Sequence, residues 1–265
     1  MDRRGKVNGK DFTEERQRKI IEHINQKGRV KVEELSSFFD VADMTIRRDL
    51  LALEKRGLLY RAHGGAVKRE KKSVWQMSSI QTRLCQNAEE KERIALCVSQ
   101  MIHDGESIMI DGGSTTTKVA EHLCGKRNLL IVTNALTIAE LLLESNNNKI
   151  ILAGGELLKE TNALCGSMTE TSISSYRVDK AIVGVSGLVP GEGCFSAIPQ
   201  EGEIKRRMLQ NSQKTILVAD SSKIGTRAFC LFCDFTKIHF LVTDTNIKKN
   251  DLTALKKTGV EVVVA

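Results

Sequence analysis

The sequence predicts an α/β chain in two parts: a small basic head of three helices and a hairpin, then a longer body of alternating helices and strands. Three observations carry that expectation. Apolar residues recur at helical spacing three times before residue 56. Gly64-Gly65 divides two short extended segments, LLYRA and AVKR, which is a hairpin signal. From about residue 88, short β-branched runs alternate with helical stretches, the pattern of a mostly parallel sheet covered on both faces.

Taken in order, residues 13–26 read as a helix with Thr13 as N-cap and Ile20, Ile21 and Ile24 as its apolar stripe. Val32 and Leu35 mark a second helix over about 31–39. A third runs from 43 to Arg56, where Gly57 stops it, and buries Ile46, Leu50 and Leu53 at i, i+4 and i+7. Three helices followed by a hairpin is the order of a winged helix-turn-helix, expected over 1–69. Residues 70–87, with the only tryptophan, Trp75, show no clean period and read as a linker. Residues 88–265 then form the second domain, with strands ESIMID, LLIVTN, KIILAG, KAIVGVSG, KTILVAD, HFLVTD and VEVVVA. Its helices are expected at 88–103, 115–124, 135–145, about 200–211 and 249–258.

Charge separates the two parts. Residues 1–72 hold 19 Lys and Arg against 12 Asp and Glu, while the remainder holds 21 of each, so the whole net charge of +7 lies in the first quarter. Such asymmetry points to a polyanion-binding module on a neutral body. No run of about 18 apolar residues offers a transmembrane helix, and the first twelve residues lack a secretory apolar stretch. The expectation is a cytoplasmic protein with no membrane partner.

Thr45, Arg47 and Arg48 project opposite the apolar stripe of the third helix. In a helix-turn-helix that helix enters the major groove, where arginine bonds guanine O6 and N7 and threonine meets a thymine methyl or a phosphate. Asp49 either orients an arginine or pairs with a neighbouring helix. Arg61, His63, Lys68 and Arg69 line the hairpin and are placed for phosphate contacts.

In the body, DGGSTTTK follows a strand and opens a helix. Asp111, Gly112, Gly113, Ser114, Thr115 and Thr116 therefore sit where free N–H groups and the helix dipole favour phosphate or carboxylate; the same residues also suit a plain turn and cap. Other strand ends supply Thr133 and Asn134, Gly154 and Gly155, Ser186 and Gly187, and Asp220 with Lys223. Ligands of open α/β sheets bind outside the carboxyl ends of the strands, so these residues are candidates for a small polyhydroxylated anion. Lys223 would supply charge, and Asp111 or Asp220 would accept from hydroxyls or act as caps.

TIRRDLLALEKRGLLYRAHGGA resembles the DNA-binding signature of the DeoR family of bacterial transcription regulators, and DGGSTT, VTNA, AGGEL, CGS, VGVSG and ADSSKIG resemble the successive motifs of its effector domain. The resemblance covers roughly 13–265. It implies a Rossmann-like α/β effector domain related to ribose-5-phosphate isomerases and CoA transferases. It also implies a phosphorylated sugar effector, double-stranded operator DNA as partner, repression of a carbohydrate-catabolism operon and a homodimer or homotetramer. Three places depart from the family pattern: Ala42 replaces a capping serine, Gly202 replaces the alanine after Glu201, and Ser196–Pro199 diverges.

No cofactor or metal is expected. Cys230 and Cys233 form a C-x-x-C without a second pair, and in the apolar run AFCLFCDF they read as packing residues. An alternative is a sugar-phosphate isomerase-like enzyme with an accessory DNA-binding domain, but no general base stands beside an activating partner in the sequence. An RNA-binding regulator would show stacking aromatics, and the chain is 4% aromatic.

Overall fold

Residues 9–55, 58–62, 64–68, 80–143, 145 and 147–265 are described by a computed structural model, and the chain divides into two compact units, residues 1–71 and 72–265. The first unit runs α1 (Gly9–Lys27), β1 (Arg29–Lys31), α2 (Val32–Phe39), α3 (Asp43–Lys55), β2 (Leu59–Ala62) and β3 (Gly65–Lys68). Helices and hairpin stand where the periodicity puts them. Strand β1 is an addition: it pairs antiparallel with β3, giving the order β1-β3-β2. Gly65 makes that pairing possible, because a Cβ there would stand 2.0 Å from the Val30 carbonyl oxygen. Ile20, Ile24, Leu35, Ile46, Leu50, Leu53 and Leu59 bury together as one core. Asp40 turns the chain between α2 and α3 in the left-handed region, at φ 51°.

The second unit opens with α4 (Ile80–Cys85) and α5 (Ala88–Gln100), followed by β4 (Ser107–Ile110), α6 (Ser114–Leu123), β5 (Leu130–Thr133), α7 (Leu136–Leu142) and β6 (Lys149–Leu152). After the hairpin β7 (Glu156–Leu158) and β8 (Ala163–Cys165) come α8 (Ser167–Ser174), β9 (Val178–Gly184), β10 (Gly187–Val189) and β11 (Gly193–Ser196). The chain ends with α9 (Pro199–Gln210), β12 (Ser212–Val218), β13 (Cys230–Cys233), β14 (Phe240–Thr243), α10 (Lys249–Lys256) and β15 (Glu261–Val264). Within the stretch 70–87 read as a linker, residues 80–85 form α4: Ile80 is buried and its N–H donates to Glu160 O at 3.0 Å. Residues 70–79, Trp75 included, lie outside the described residues.

Seven strands form one parallel sheet in the order β15-β14-β12-β9-β4-β5-β6. Alternate residues supply its two faces. Ile108, Ile110, Ile131, Ile182 and Val242 pack with Ile94, Val119, Leu123 and Ile138 of α5, α6 and α7. Met109, Val132, Ala181, Val183 and Leu241 pack with Ile173, Ile204, Met208 and Leu255 of α8, α9 and α10. This is a doubly wound, Rossmann-like layer. Chain order runs outward from β4 through β5 to β6, then returns to β9 and runs the other way, so the switch point lies between β4 and β9. The β10-β11-β13 sheet is antiparallel. It absorbs the C-x-x-C as strand residues, with Cys233 opposite Cys194 and the Cys194 thiol pushed up by its hydrogen bond to Cys233 and by burial.

Candidate functional site

On α3 the buried stripe is complete: Ile46, Leu50 and Leu53 are each fully enclosed. Arg47 and Arg48 are exposed and Thr45 is half-buried. Asp49 does not neutralise the arginines. It points inward, accepting from Arg16 Nε at 2.6 Å and from Gln17 Nε2 at 2.9 Å on α1. Of the two roles open to Asp49 in the sequence, pairing with a neighbouring helix is the one realised. Among the described residues neither Arg47 nor Arg48 has an ion-pair partner, so both guanidinia stand ready for an external anion. The helix begins without a hydroxyl cap. Ala42 occupies the N-cap position, its carbonyl accepting from Thr45 N–H at 2.8 Å, and Asp43 lies in the first turn. Arg61 is exposed on β2, with its N–H bonded to Glu54 Oε1 at 3.0 Å. His63, Arg69 and the side chain of Lys68 lie outside the described residues.

In the second unit the switch point collects charge. Asp111, immediately after β4, is buried; its Oδ1 accepts from Gly184 N–H at 3.1 Å, and its Oδ2 forms an ion pair with Lys205. Lys205 lies on the buried side of α9 with Glu201 one turn earlier. Burial pushes the Glu201 carboxyl up against the opposing pull of Lys205, Thr161 and Arg83, and among the described residues its Oε1 has no hydrogen-bond partner. Arg83 of α4 feels the carboxylates of Glu201 and Asp111, yet its own burial outweighs both and lowers its pKa. Neither Lys205 nor Arg83 stands out in the sequence, and Glu201 does so only through resemblance. The available signal is charge on a buried stripe: Glu201, Ile204, Lys205 and Met208 share one helical face.

Beside this cluster α6 starts with no side-chain cap. Its first intrahelical bond runs from Thr117 N–H to Gly113 O at 2.8 Å, and among the described residues the N–H groups of Ser114, Thr115 and Thr116 have no acceptor. The Thr116 and Thr117 hydroxyls turn back to Gly113 O at 3.0 and 2.7 Å. Those of Ser114 and Thr115 make no hydrogen bond among the described residues. Thr116 Cγ2 and Asp111 Oδ1 both lie 3.9 Å from where a Gly184 Cβ would stand, so the open helix end and the charge cluster share one place.

Other candidates are committed to the fold. Thr133 donates to Ile110 O at 2.8 Å and accepts from Ala135 N–H at 3.1 Å. Asn134 donates to Leu164 O at 2.8 Å, and its buried Oδ1 has no partner among the described residues. Gly112 is demanded by packing, since a Cβ would meet the Ala163 methyl at 2.9 Å, rather than by approach to a ligand; Gly187 likewise abuts the Thr226 carbonyl. Gly154 O accepts from Thr169 Oγ1 at 2.7 Å, and Gly155 lies against that side chain. Ser186 Oγ accepts from Ala197 N–H at 3.0 Å. Asp220 is a cap: it accepts from Ser222 N–H at 3.1 Å and Asn87 Nδ2 at 2.9 Å. Lys223 is half-buried, close to Asp220 and Lys91. Lys205, which the sequence reading did not single out, is the cation paired with Asp111. Among the described residues no group of His, Cys, Asp and Glu could hold a metal.

Two family models match the chain: a DeoR-like helix-turn-helix domain over residues 16–72 and a DeoR C terminal sensor domain over 86–245. The HTH-type transcriptional repressor GlcR of Bacillus subtilis (strain 168) is 33% identical over 254 residues, 96% of each chain. The glycerol-3-phosphate regulon repressor of Escherichia coli (strain K12) is 38% identical over 229 residues, covering 85% of this chain and 88% of that protein. Ribose 5-phosphate isomerase A from Neisseria gonorrhoeae aligns in structure over 52% of this chain and 54% of its own, at 19% identity and a TM-score of 0.39.

Proposed function

The chain belongs to the DeoR family of transcriptional regulators, and from that premise we propose that it represses an operon of carbohydrate or sugar-phosphate use under control of a phosphorylated sugar. It is a DNA-binding regulator rather than an enzyme. The observation that carries the DNA-reading face is the pair Arg47 and Arg48, exposed on α3 while the adjacent acid, Asp49, is held by α1. Such a pair reads guanine edges from the major groove, and Arg61 on the hairpin sits for the flanking backbone. Among the described residues no helix is long and apolar enough to cross a membrane, and an operator reader works in the cytoplasm beside the chromosome. Two half-sites per operator call for a homodimer or a pair of dimers.

The effector reading rests on the open start of α6 beside Asp111 and Lys205. Amide donors and the helix dipole suit a phosphate, and the carboxylates suit sugar hydroxyls. A thermal-shift screen of phosphorylated sugars against their unphosphorylated forms tests it, since a ligand of the native state raises the melting temperature. For DNA, fluorescence anisotropy on the region upstream of the gene should show Arg47→Ala losing about 1–3 kcal/mol on the specific site and little on random duplex. Equal loss on both would reassign Arg47 to a phosphate contact.

A further inference from the structure

The first turn of α3 presents an apolar side chain to solvent beside the two arginines. Met44, the second residue of the helix, is 59% exposed. Arg47 and Arg48 follow at i+3 and i+4, both exposed, so all three lie on the side away from Ile46, Leu50 and Leu53. The buried Asp49, bonded to Arg16 and Gln17 of α1, helps to fix how the helix presents that side. Leu51 is exposed as well, two turns beyond Met44. It is the N-terminal part of a recognition helix that meets base edges, however, and Met44 stands there.

A single exposed methionine on an ordinary surface needs no explanation. On a face that a duplex covers, the same side chain leaves water on binding and must meet something. Its thioether is only a weak acceptor, so phosphate and the amino groups of bases offer it little. The apolar group that the major groove does offer is the C5-methyl of thymine. Cytosine or adenine in the same place would set an amino group against an apolar side chain, stripped of water and unpaired. One helical turn rises about 5.4 Å and successive base pairs about 3.4 Å. A helix lying along the groove therefore carries Met44 about one or two base steps from a guanine held by Arg47 or Arg48.

Resting on the DNA-reading face described above, we infer that Met44 reads the methyl group of a thymine within two base steps of the arginine-bound guanine, once in each half-site. Met44 is thereby a specificity-determining residue: the arginines select guanine, and the methionine selects its neighbour by apolar contact. Thr45, half-buried at the border of the same face, is left to a phosphate.

The test uses the full chain. Duplexes with a randomised core are selected on the wild-type protein, and the selected duplex serves as probe in fluorescence anisotropy. Each of its thymines is replaced singly by deoxyuridine, which keeps the pairing and the O4 acceptor and lacks only the methyl group. Wild-type affinity should fall about three- to fivefold at one thymine per half-site, the worth of one buried methyl group. At that position Met44→Ala should lose nothing further, whereas Met44→Leu and Thr45→Ala should keep the deoxyuridine penalty. Unchanged affinity for random duplex reports that each variant is folded, and Met44→Gln replaces Met44→Ala if that variant is not. The wild-type deoxyuridine scan needs no variant at all. A selected site without a deoxyuridine-sensitive thymine overturns this inference, as does a full penalty in Met44→Ala; both leave the arginine reading standing. A penalty lost in Thr45→Ala but kept in Met44→Ala also overturns it and gives the methyl contact to Thr45. Selection of no sequence by the wild-type protein overturns both readings.

Discussion

Glu201 shows how a single side chain sets stability against function. Its carboxyl is held above the ordinary 4.5 by burial. Between that value and its folded pKa the unfolded chain has released the proton and the folded chain has not. Stability attributable to this group therefore falls as pH rises through that window. Glu201→Gln should accordingly raise the melting temperature at pH 7, with the gain shrinking toward pH 4.5; a gain independent of pH would remove the charge as its cause. The same variant should weaken effector binding, the trade common to strained sites. Lys91 follows the mirrored logic. Burial lowers its pKa to about 8, so its charged form costs stability below that value. Its two carbonyl partners explain why an ammonium is nevertheless kept there.

At the scale of elements, α3 and α6 both begin without a side-chain cap, for different reasons. In α6 the open amides face the candidate ligand site. In α3 Ala42 merely lacks a hydroxyl. Ala42→Ser should therefore stabilise the head by about 1 kcal/mol, read as a shift in its chemical-denaturation midpoint. No gain would show that Asp43 in the first turn already supplies the missing interaction. Elements with a long repeat were legible from the residues alone. The three head helices and the seven sheet strands each carry an unmistakable stripe or apolar run. Strands β1, β7, β8 and β10, of three residues each, and helix α4, of six, carry too little period to read. The candidate site was half legible: DGGST announces itself by its place between strand and helix. Arg83, Glu201 and Lys205 look like surface charges until the fold turns them inward.

Across the whole molecule, charge and neutrality are segregated by unit, with the entire excess in residues 1–72. Operator affinity should therefore fall linearly on a log–log plot against salt, with a slope near −0.9 for each phosphate neutralised. Arg61→Ala should flatten that slope by about one contact, while Arg47→Ala should lower affinity at a nearly constant slope. Identical slopes for all three proteins would place Arg61 away from the backbone.

The vacant amides at the start of α6 have a practical corollary. A polypeptide that leaves three backbone donors idle forgoes some steadiness until an oxyanion arrives, and it does not ask which one. Sulfate or citrate carried over from purification should therefore raise the melting temperature as the proposed effector does, and a chloride buffer gives the baseline against which ligands are compared.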